Sequence, residues 1–440
     1  MRSGGVGAVS IASARRCAGL LAALGIFCGL GRGAPRADPA QPPPSAPAAT
    51  PALAPRLLPS ARGATHYRSE AAAADRASLP ADPLREAILA AVRAQARRDG
   101  REVPRSDARL DRAMNDFARV LGPDDLPAPE AVAFLLAHYG LPDPPPHWLM
   151  ERMTPGANQD VADRTAPALL EALKSTPIAR IGVGIDRAAT EVRVVVAVQG
   201  VDVELAPIPR QLKLGGRATI AGRVDDRFRE ARVVVTAPDG SVREHGARAA
   251  AARGRFSDEL RCDAGAGRYQ VEIAAVTSAG PAVLANFPLF CGVAPPGEAP
   301  GPATVRPAPM TAAEAEARLL ALVNRDRAAG HRPALALDAK LSDIARAHSR
   351  DMAEHQFVAH VSPRTGSAAE RVARAGLAPA LLLENVGRAY SAEDAESGFM
   401  ASPGHRGNIL DGRATRIGIG IAIGREVNDM VPLLVTQLMM

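Results

Sequence analysis

Two histidines and one glutamate stand out in the last third of the chain, because each lies in a short polar cluster. His360 lies in FVAHVSP, Glu384 is followed by Asn385, and His405 lies in SPGHRGN. The Pro and Gly residues beside the histidines predict loops. We expect these loops to meet at one cleft and to bring the two imidazoles and the carboxylate together.

Three kinds of chemistry suit this set of side chains. Two neutral imidazoles and a carboxylate can bind zinc or another divalent cation and leave one position open for water. A histidine that a carboxylate orients can act as a general base. Ser362 or Ser402, each near a histidine in the sequence, is a candidate nucleophile. The spacing leaves these alternatives open, together with a purely structural role.

The surrounding segments predict the elements that must position these residues. Thr311 and Glu314 have the spacing of a capping box at the start of a helix, and Leu319 and Val323 fall on one face of that helix. A second amphipathic helix is predicted over Asp338 to Ala353. The runs RIGIGIAIG and MVPLLVTQLMM predict two buried strands at the end of the chain.

A series of phrases in this part of the chain follows the order found in bacterial CAP domains, also called SCP domains. The phrases are LVNRDRAAG, ARAHSRDM, FVAHVSP, LENVGRAY, FMASPGHRGNIL, RIGIGIAI and VTQLMM. Residues 311–440 therefore resemble the domain shared by cysteine-rich secretory proteins, antigen 5 and plant pathogenesis-related proteins. The resemblance implies an α-β-α sandwich with a central cleft.

The resemblance also implies which residues line that cleft. The family's cleft holds two histidines and two glutamates; His360 matches the first histidine, Glu384 the glutamate before asparagine, and His405 the second histidine. Phe399 matches an aromatic residue, and the second acid is expected near Ser402, so one carboxylate is missing. In relatives the cleft is associated with divalent cations, some members bind sterols or other lipids, and proteolysis has been proposed for others.

The middle of the chain has the pattern of an all-β domain. Short runs with a period of two, such as ATIAGRV and RYQVEIAAV, predict strands, and Asp239-Gly240 predicts a hairpin turn. Cys262 and Cys291 lie in this region, and an even pair of cysteines in an exported chain predicts a disulfide. About 90 residues of strands with one disulfide are typical of an immunoglobulin-like sandwich.

Residues 82–200 repeat features of the last unit. DARLDRAMNDFARVL is similar to DAKLSDIARAHSRDM, and ARIGVGI is similar to TRIGIGI. Gln199 follows the first RIG motif at nearly the same distance as Gln437 follows the second. Histidine is missing from the place that corresponds to His405. We therefore predict a degenerate CAP-like α/β copy that kept the scaffold and lost the site.

The N-terminus predicts export. Arg15 and Arg16 precede an apolar run from Cys17 to Leu30, which is too short to span a bilayer and has the length of a signal-peptide core. We expect an extracellular or periplasmic protein without a transmembrane helix. The net charge of +6 does not indicate nucleic acid as a partner, because basic residues alternate with acidic ones and aromatic residues make up only 3% of the chain.

The sequence thus predicts an α+β multidomain protein that binds a divalent cation, a small molecule, a lipid or an extracellular protein. An extracellular hydrolase and a non-catalytic scaffold are the alternatives. The expected organisation is a signal peptide (1–34), a Pro/Ala-rich disordered linker (35–80), a degenerate CAP-like domain (82–200), an immunoglobulin-like β-sandwich (201–293), a Pro/Gly-rich linker (294–310) and a CAP/SCP domain (311–440).

Overall fold

The computed structural model describes residues 57–72, 79–122, 125–156, 161–163, 165–167, 179–246, 254–302, 304–305, 310–426 and 431–440. The predicted signal peptide and the linker up to residue 56 lie outside the described residues. All described residues belong to one compact unit, Leu53–Met440. In the described part of the chain, every helix is too short or too polar to cross a membrane.

Helices and strands follow one another in three groups along the chain. The helices are α1 (Pro83–Arg98), α2 (Ala108–Val120), α3 (Pro129–His138), α4 (Ala312–Ala329), α5 (Ala339–His355), α6 (Ala368–Arg374), α7 (Ala392–Ala401) and α8 (Pro403–Ile409). The strands are β1 (His66–Tyr67), β2 (Arg105–Ser106), β3 (Leu126–Pro127), β4 (His147–Met153), β5 (Arg180–Arg187), β6 (Val192–Gln199), β7 (Val203–Leu205), β8 (Ile208–Pro209), β9 (Gln211–Leu212), β10 (Arg217–Val224), β11 (Arg229–Thr236), β12 (Val242–Gly246), β13 (Arg255–Arg261), β14 (Gly267–Thr277), β15 (Gly280–Cys291), β16 (Thr304–Val305), β17 (Ala336–Leu337), β18 (Leu383–Ala389), β19 (Arg416–Ile423) and β20 (Leu433–Met439).

The last unit is built on a four-stranded sheet in the order β17-β19-β20-β18, and α4 to α8 belong to it. β17 runs parallel to β19, and the other neighbours are antiparallel. Apolar side chains of α4 and α7 pack on one face of the sheet, where Ile417 and Ile419 lie. Leu341 of α5 packs on the other face with Leu438. Helices therefore cover both faces, and the predicted capping box of Thr311 is present at the start of α4.

The glycines of the RIGIGI motif let α5 lie directly on β19. A Cβ atom on Gly418 would come within 2.2 Å of the carbonyl carbon of Leu341, and one on Gly420 within 2.1 Å of the amide nitrogen of Arg346. Only glycine leaves room for the helix backbone at these positions. The motif that stands out in the sequence is therefore a helix-packing surface.

The first unit repeats this arrangement. Its sheet has the order β2-β5-β6-β4, with β2 parallel to β5 and the remaining pairs antiparallel. A Cβ atom on Gly182 would meet Leu110 of α2 at 2.6 Å, and one on Gly184 would meet Met114 at 2.1 Å. Helix and strand therefore approach one another here as closely as α5 and β19 do.

The register of the strands corrects one detail of the predicted repeat. Gln199 pairs with Arg180 in the first sheet, whereas Gln437 pairs with Ile419 in the last. The residue in β6 that occupies the register position of Gln437 is Val196, which pairs with Val183. The similar spacing of Gln199 and Gln437 after the RIG motifs therefore does not give them the same place in the sheet, because the number of residues between two strands does not fix their register.

The middle unit consists of a three-stranded sheet, β13-β10-β7, and a five-stranded sheet, β12-β11-β14-β15-β9. Both sheets contribute to one apolar core. Cys262 follows β13 and Cys291 ends β15, and they form a disulfide with their Cα atoms 5.6 Å apart. The predicted disulfide is therefore confirmed. The chain turns at Gly240, with φ +82°, between β11 and β12, as the Asp239-Gly240 pair predicts.

Parts of the two predicted linkers are packed into these units. Tyr67 is fully buried in the middle core, where its hydroxyl donates to the carbonyl of Pro288 at 2.6 Å. Leu57 is buried in the first unit, and its carbonyl accepts from the amide of Ala299 at 3.0 Å. These residues differ from the structureless linker that composition predicts, because a few large apolar side chains in a Pro-rich segment are enough to anchor it.

Candidate functional site

The structure brings His360 and Glu384 into direct contact. Helix α5 stops at Gln356, which adopts the left-handed conformation with φ +53°, and the chain then turns towards His360. Glu384 is the second residue of β18. The Nδ1 atom of His360 lies 2.9 Å from Oε2 of Glu384. The side chains of His360 and Glu384 are 17% and 6% exposed, so this pair is largely shielded from water.

Arg371 of α6 completes this contact on the other side of the carboxylate. Its Nη2 donates to Oε1 of Glu384 at 2.5 Å, and its Nη1 donates to the main-chain carbonyl of His360 at 3.2 Å. The arginine side chain is 4% exposed. No sequence pattern distinguishes Arg371 from the many other basic residues of the chain, because α6 carries no motif that marks it.

The two bonds to Glu384 determine how the His360 ring is presented. A carboxylate oxygen accepts a hydrogen bond, so Nδ1 of His360 must carry the proton. In a neutral ring the other nitrogen, Nε2, then keeps its lone pair. Glu384 therefore fixes both the tautomer and the orientation of His360, while Arg371 balances the charge of the buried carboxylate.

His405 lies on α8 and is half-buried. Its ring meets the ring of Phe399 edge-on, with the centroids 5.1 Å apart. Burial lowers the pKa of His405 to about 4, and the positive charge that His360 can carry lowers it further. The imidazole is therefore neutral at neutral pH and available as a ligand or as a base.

A buried amide network ties the segments of Glu384 and His405 together. Asn385 donates to the side-chain oxygen of Gln437 at 2.9 Å and to the main-chain carbonyl of His405 at 3.3 Å. Asn408 donates to the carbonyl of Glu384 at 3.1 Å and to the side-chain oxygen of Asn385 at 2.9 Å. Asn385, the residue after Glu384, therefore holds the helix α8 that carries His405 against the edge of the sheet.

The two candidate serine nucleophiles have structural partners. Ser362 donates to Oδ2 of Asp351 at 2.5 Å and accepts from the amides of Arg364 and Thr365, each at 3.0 Å. Ser402 donates to a carboxylate oxygen of Glu272 in the middle unit. Because both hydroxyl protons point to carboxylates, the geometry does not favour either serine as a nucleophile.

Ser402 occupies the place where the resemblance implies a second acid. Its hydroxyl oxygen also accepts from the amide of His405 at 3.4 Å, as the N-cap of α8. Glu396, the nearest acid before it in the sequence, is 1% exposed on α7. Burial raises the pKa of Glu396 to about 8, and the negative charge of Asp326 raises it further. Glu396 therefore belongs to the core beneath the site.

The remaining histidines of the last unit lie apart from this contact. His348 on α5 is 1% exposed, and its Nε2 lies 2.9 Å from the carbonyl of Ala359, the residue before His360. His331 and His355 are exposed. His348 thus supports the turn before His360.

The hydrogen bonds of Glu384 limit which atoms of the site are available to a metal ion. Among the described residues, no cluster of three or more His, Cys, Asp or Glu side chains is arranged to hold a metal ion. Arg371 donates to Oε1 of Glu384 and His360 donates to Oε2, so both oxygens of the carboxylate already have hydrogen-bond partners. The nitrogens that suit a divalent cation are Nε2 of His360 and the ring of His405, with Glu384 as the partner that orients the first imidazole.

Comparisons with known proteins agree with the motifs of the last unit. Residues 320–438 match the family model CAP, described as the Cysteine-rich secretory protein family. No curated protein matches the chain. The last unit is therefore a CAP domain, which confirms the resemblance seen in the sequence.

Several solved structures are similar to this chain. An extracellular protein containing a SCP domain from Bacillus anthracis is 18% identical over 58% of this chain and 87% of its own, with a TM-score of 0.26. An outer surface protein from Borrelia burgdorferi is 14% identical over 29% and 95%, with a TM-score of 0.26. A cysteine-rich secretory protein from Staphylococcus aureus is 11% identical over 61% and 91%, with a TM-score of 0.22.

Proposed function

We propose that this chain is an exported binding protein whose CAP domain holds a divalent cation, with zinc as the first candidate, through His360 and His405. Glu384 orients His360 in this proposal. The observation that carries it is the hydrogen bond of 2.9 Å between Nδ1 of His360 and a buried carboxylate, which leaves Nε2 as the nitrogen with a lone pair.

The protonation of His405 supports the same proposal. A metal-binding imidazole must be neutral, and metal binding competes with protons wherever the ligand is charged. Burial lowers the pKa of His405 to about 4, so binding displaces no proton from this ring at neutral pH. A cation held by two imidazoles keeps positions for water or for an oxygen atom of a ligand.

The charge balance argues against Glu384 as a direct ligand. To bind the cation through Oε1, the carboxylate would have to release Arg371, whose guanidinium is 4% exposed and donates at 2.5 Å. An unpaired buried guanidinium costs several kcal/mol. Two imidazoles without a carboxylate bind zinc less tightly than three-ligand sites do, which suits an exchangeable cation or a ligand that completes the coordination.

The rest of the chain fits an exported binding protein. We propose that the middle unit is an immunoglobulin-like sandwich, supported by its two sheets and the disulfide between Cys262 and Cys291. We also propose that the first unit is a degenerate copy of the CAP domain, supported by the matching sheet order. The partner of the assembled protein is a small molecule, a lipid or an extracellular protein.

Zinc titration of the metal-free full chain by isothermal calorimetry tests this proposal. We expect one zinc ion per chain, with an affinity that falls by about tenfold or more in His360→Ala and in His405→Ala, because each substitution removes a ligand. The matched control is His331→Ala, which removes an exposed imidazole of the same domain and should bind as the wild type does. Absence of binding in the wild type, or equal binding in all variants, would refute the metal site.

A hydrolase is the second candidate, and the pair of His360 and Glu384 is the observation that favours it. A base oriented by a carboxylate is the arrangement that activates water in many hydrolases. A screen with peptide and ester substrates, in wild type and Glu384→Gln, addresses it. Turnover that is absent from both proteins, or equal in both, removes the hydrolase and leaves a binding module or a scaffold.

A further inference from the structure

The histidine site is in contact with the middle unit of the same chain. The contact is made by the hairpin of β14 and β15, whose turn lies between Thr277 and Gly280. Its strands pair along their length, from Gly267 opposite Cys291 to the turn. One end of this hairpin meets the segment of His360, and its middle meets the segment of His405.

The turn of the hairpin touches the His360 segment with its backbone. The amide of Val361 donates to the carbonyl of Ala279 at 3.0 Å. Gly280 adopts φ +103°, and a Cβ atom added there would lie 2.7 Å from Cβ of His360. Glycine is therefore required at this position both for its conformation and for the approach to His360.

Glu272 in the middle of β14 contacts the His405 segment. Its carboxylate accepts from the hydroxyl of Ser402 and, at 3.2 Å, from the amide of Gly404. Ser402 is also the N-cap that holds the amide of His405. Glu272 therefore contacts His405 indirectly, through Ser402.

The burial of β14 shows that this contact covers the part of the strand face that carries Glu272 and Ala274. Val271 and Ile273 point into the core of the middle unit, so Glu272 and Ala274 belong to the opposite face. That face would be exposed in an isolated sheet, yet Glu272 is 1% and Ala274 8% exposed. A buried carboxylate is costly unless it has hydrogen-bond partners, and the donors are Ser402 and Gly404 of the CAP domain.

A second strand of the hairpin strengthens the contact with the His405 segment. Asn286 of β15 donates to the carbonyl of Ala401 at 3.1 Å and accepts from the side chain of Gln270 at 2.6 Å. Ala401 ends α7 and immediately precedes Ser402. Two polar side chains of the hairpin, Glu272 and Asn286, thus hold the short segment that leads into the helix of His405.

We propose that the β14–β15 hairpin positions the two histidines of the site. Gly280 sets the position of His360, and Glu272 sets the position of His405. The hairpin spans both segments, since the strand from Glu272 to its end at Thr277 is about 17 Å long. We therefore expect the middle unit to slow the access of reagents to both imidazoles. This inference goes beyond the proposed cation binding and holds for any ligand of the cleft.

Chemical labelling of the histidines in the full chain tests the proposal without a metal. Diethyl pyrocarbonate acylates neutral imidazoles, and peptide mass spectrometry gives a rate for each histidine. In the wild type, His360 and His405 should react more slowly than the exposed His331. Gly280→Ala should raise the rate of His360, and Glu272→Gln that of His405, each by about threefold or more, because the local structure opens more often.

Matched controls separate positioning from general destabilisation. Gly265 has φ +96°, and a Cβ atom there meets nothing within 4 Å. Gly265→Ala therefore forces alanine into an unfavourable positive φ without creating a clash with another segment. Glu259→Gln changes an exposed glutamate of β13 in the same way as Glu272→Gln. Both controls should label as the wild type does. If all four variants show the same rates, or if His360 and His405 already react as fast as His331 in the wild type, the proposal is overturned.

Amide hydrogen exchange of the wild type keeps the test decisive if a variant does not fold. The amide of Val361 donates to Ala279, and that of Gly404 donates to Glu272. We expect both amides to exchange slowly, as interdomain hydrogen bonds in a stable contact do. Fast exchange of both would contradict the proposal. Failure of zinc binding would leave these results untouched, so the two proposals fail separately.

Discussion

The first and last units place different side chains at the same positions of their sheets. In the last unit, Gly418 pairs with Leu438, which pairs with Glu384. In the first unit, Gly182 pairs with Ala197, which pairs with Trp148. Trp148 thus stands in the register position of Glu384. Trp148 packs against an apolar cluster, whereas Glu384 contacts a histidine and an arginine.

The neighbouring row shows the same replacement. Asn385 pairs with Gln437 in the last unit, and their side chains are hydrogen-bonded at 2.9 Å. The corresponding pair in the first unit is Leu149 and Val196, both of which are buried among apolar side chains. The two sheets therefore have the same strand order but differ in this row of residues. The row is polar in the last unit and apolar in the first.

The comparison teaches that the scaffold and the site are physically separable. The close contact of helix and strand at Gly184 and Gly420 is common to both units, and it needs no polar residue. The site needs a buried carboxylate with two partners, which an apolar unit can discard without losing its core. The close contact of helix and strand therefore does not depend on a histidine site.

The largest effect is expected where the two units are alike. Gly184→Ala and Gly420→Ala each place a Cβ atom about 2.1 Å from the backbone of the facing helix, and each should lower the free energy of unfolding by about 3 kcal/mol. Thermal and urea denaturation measure this. Gly398→Ala, on α7 with nothing within 4 Å of the new atom, is the control and should stabilise by about 0.5–1 kcal/mol. A tolerated Gly184→Ala beside a disruptive Gly420→Ala would contradict the shared scaffold.

The next effect concerns the polar layer that only the last unit has. Arg371→Ala leaves the buried carboxylate of Glu384 without its cation and should cost about 3 kcal/mol in the free energy of unfolding. The double variant Arg371→Met/Glu384→Leu imitates the apolar layer of the first unit and should lie within about 1 kcal/mol of the wild type. Urea denaturation of both variants measures the difference. A double variant as unstable as Arg371→Ala would show that the polar layer also supports the fold.

The smallest of the three effects is a pH dependence. The pKa of His405 falls to about 4 through burial, whereas an unfolded histidine titrates near 6.5. The unfolded state therefore binds the proton first, so stability is full above about pH 6.5 and is lost as the pH falls towards 4. Between pH 7 and 4.5 His405→Gln should lose about 2 kcal/mol less than the wild type. His331→Gln is the control, and it should lose as much stability as the wild type does.

Much of the fold follows from the sequence because its signals are local. The capping box of Thr311 and the helix that begins after Asp338 were readable from a few neighbouring residues. The glycines of the RIG motifs and the two cysteines of the middle unit were equally visible. Each of these features depends on the backbone near it, or on a small number of possible partners.

The parts that the sequence did not predict depend on tertiary contacts. Arg371 is one basic residue among 53, and only the fold brings it to Glu384. Glu272 reads as an outward residue of an alternating strand until another domain covers that face. The different registers of Gln199 and Gln437 are a similar case, since spacing along the chain does not determine which residues pair across strands.

The most direct test of the central claim is a crystal structure of the zinc-loaded full chain with anomalous diffraction at the zinc edge. The account predicts one strong peak bonded to Nε2 of His360 and to the ring of His405, while Arg371 keeps its bond to Glu384. A peak bonded to Glu384 with Arg371 displaced would contradict the role given to this carboxylate. A peak elsewhere in the chain, or none at the two histidines, would contradict the site itself.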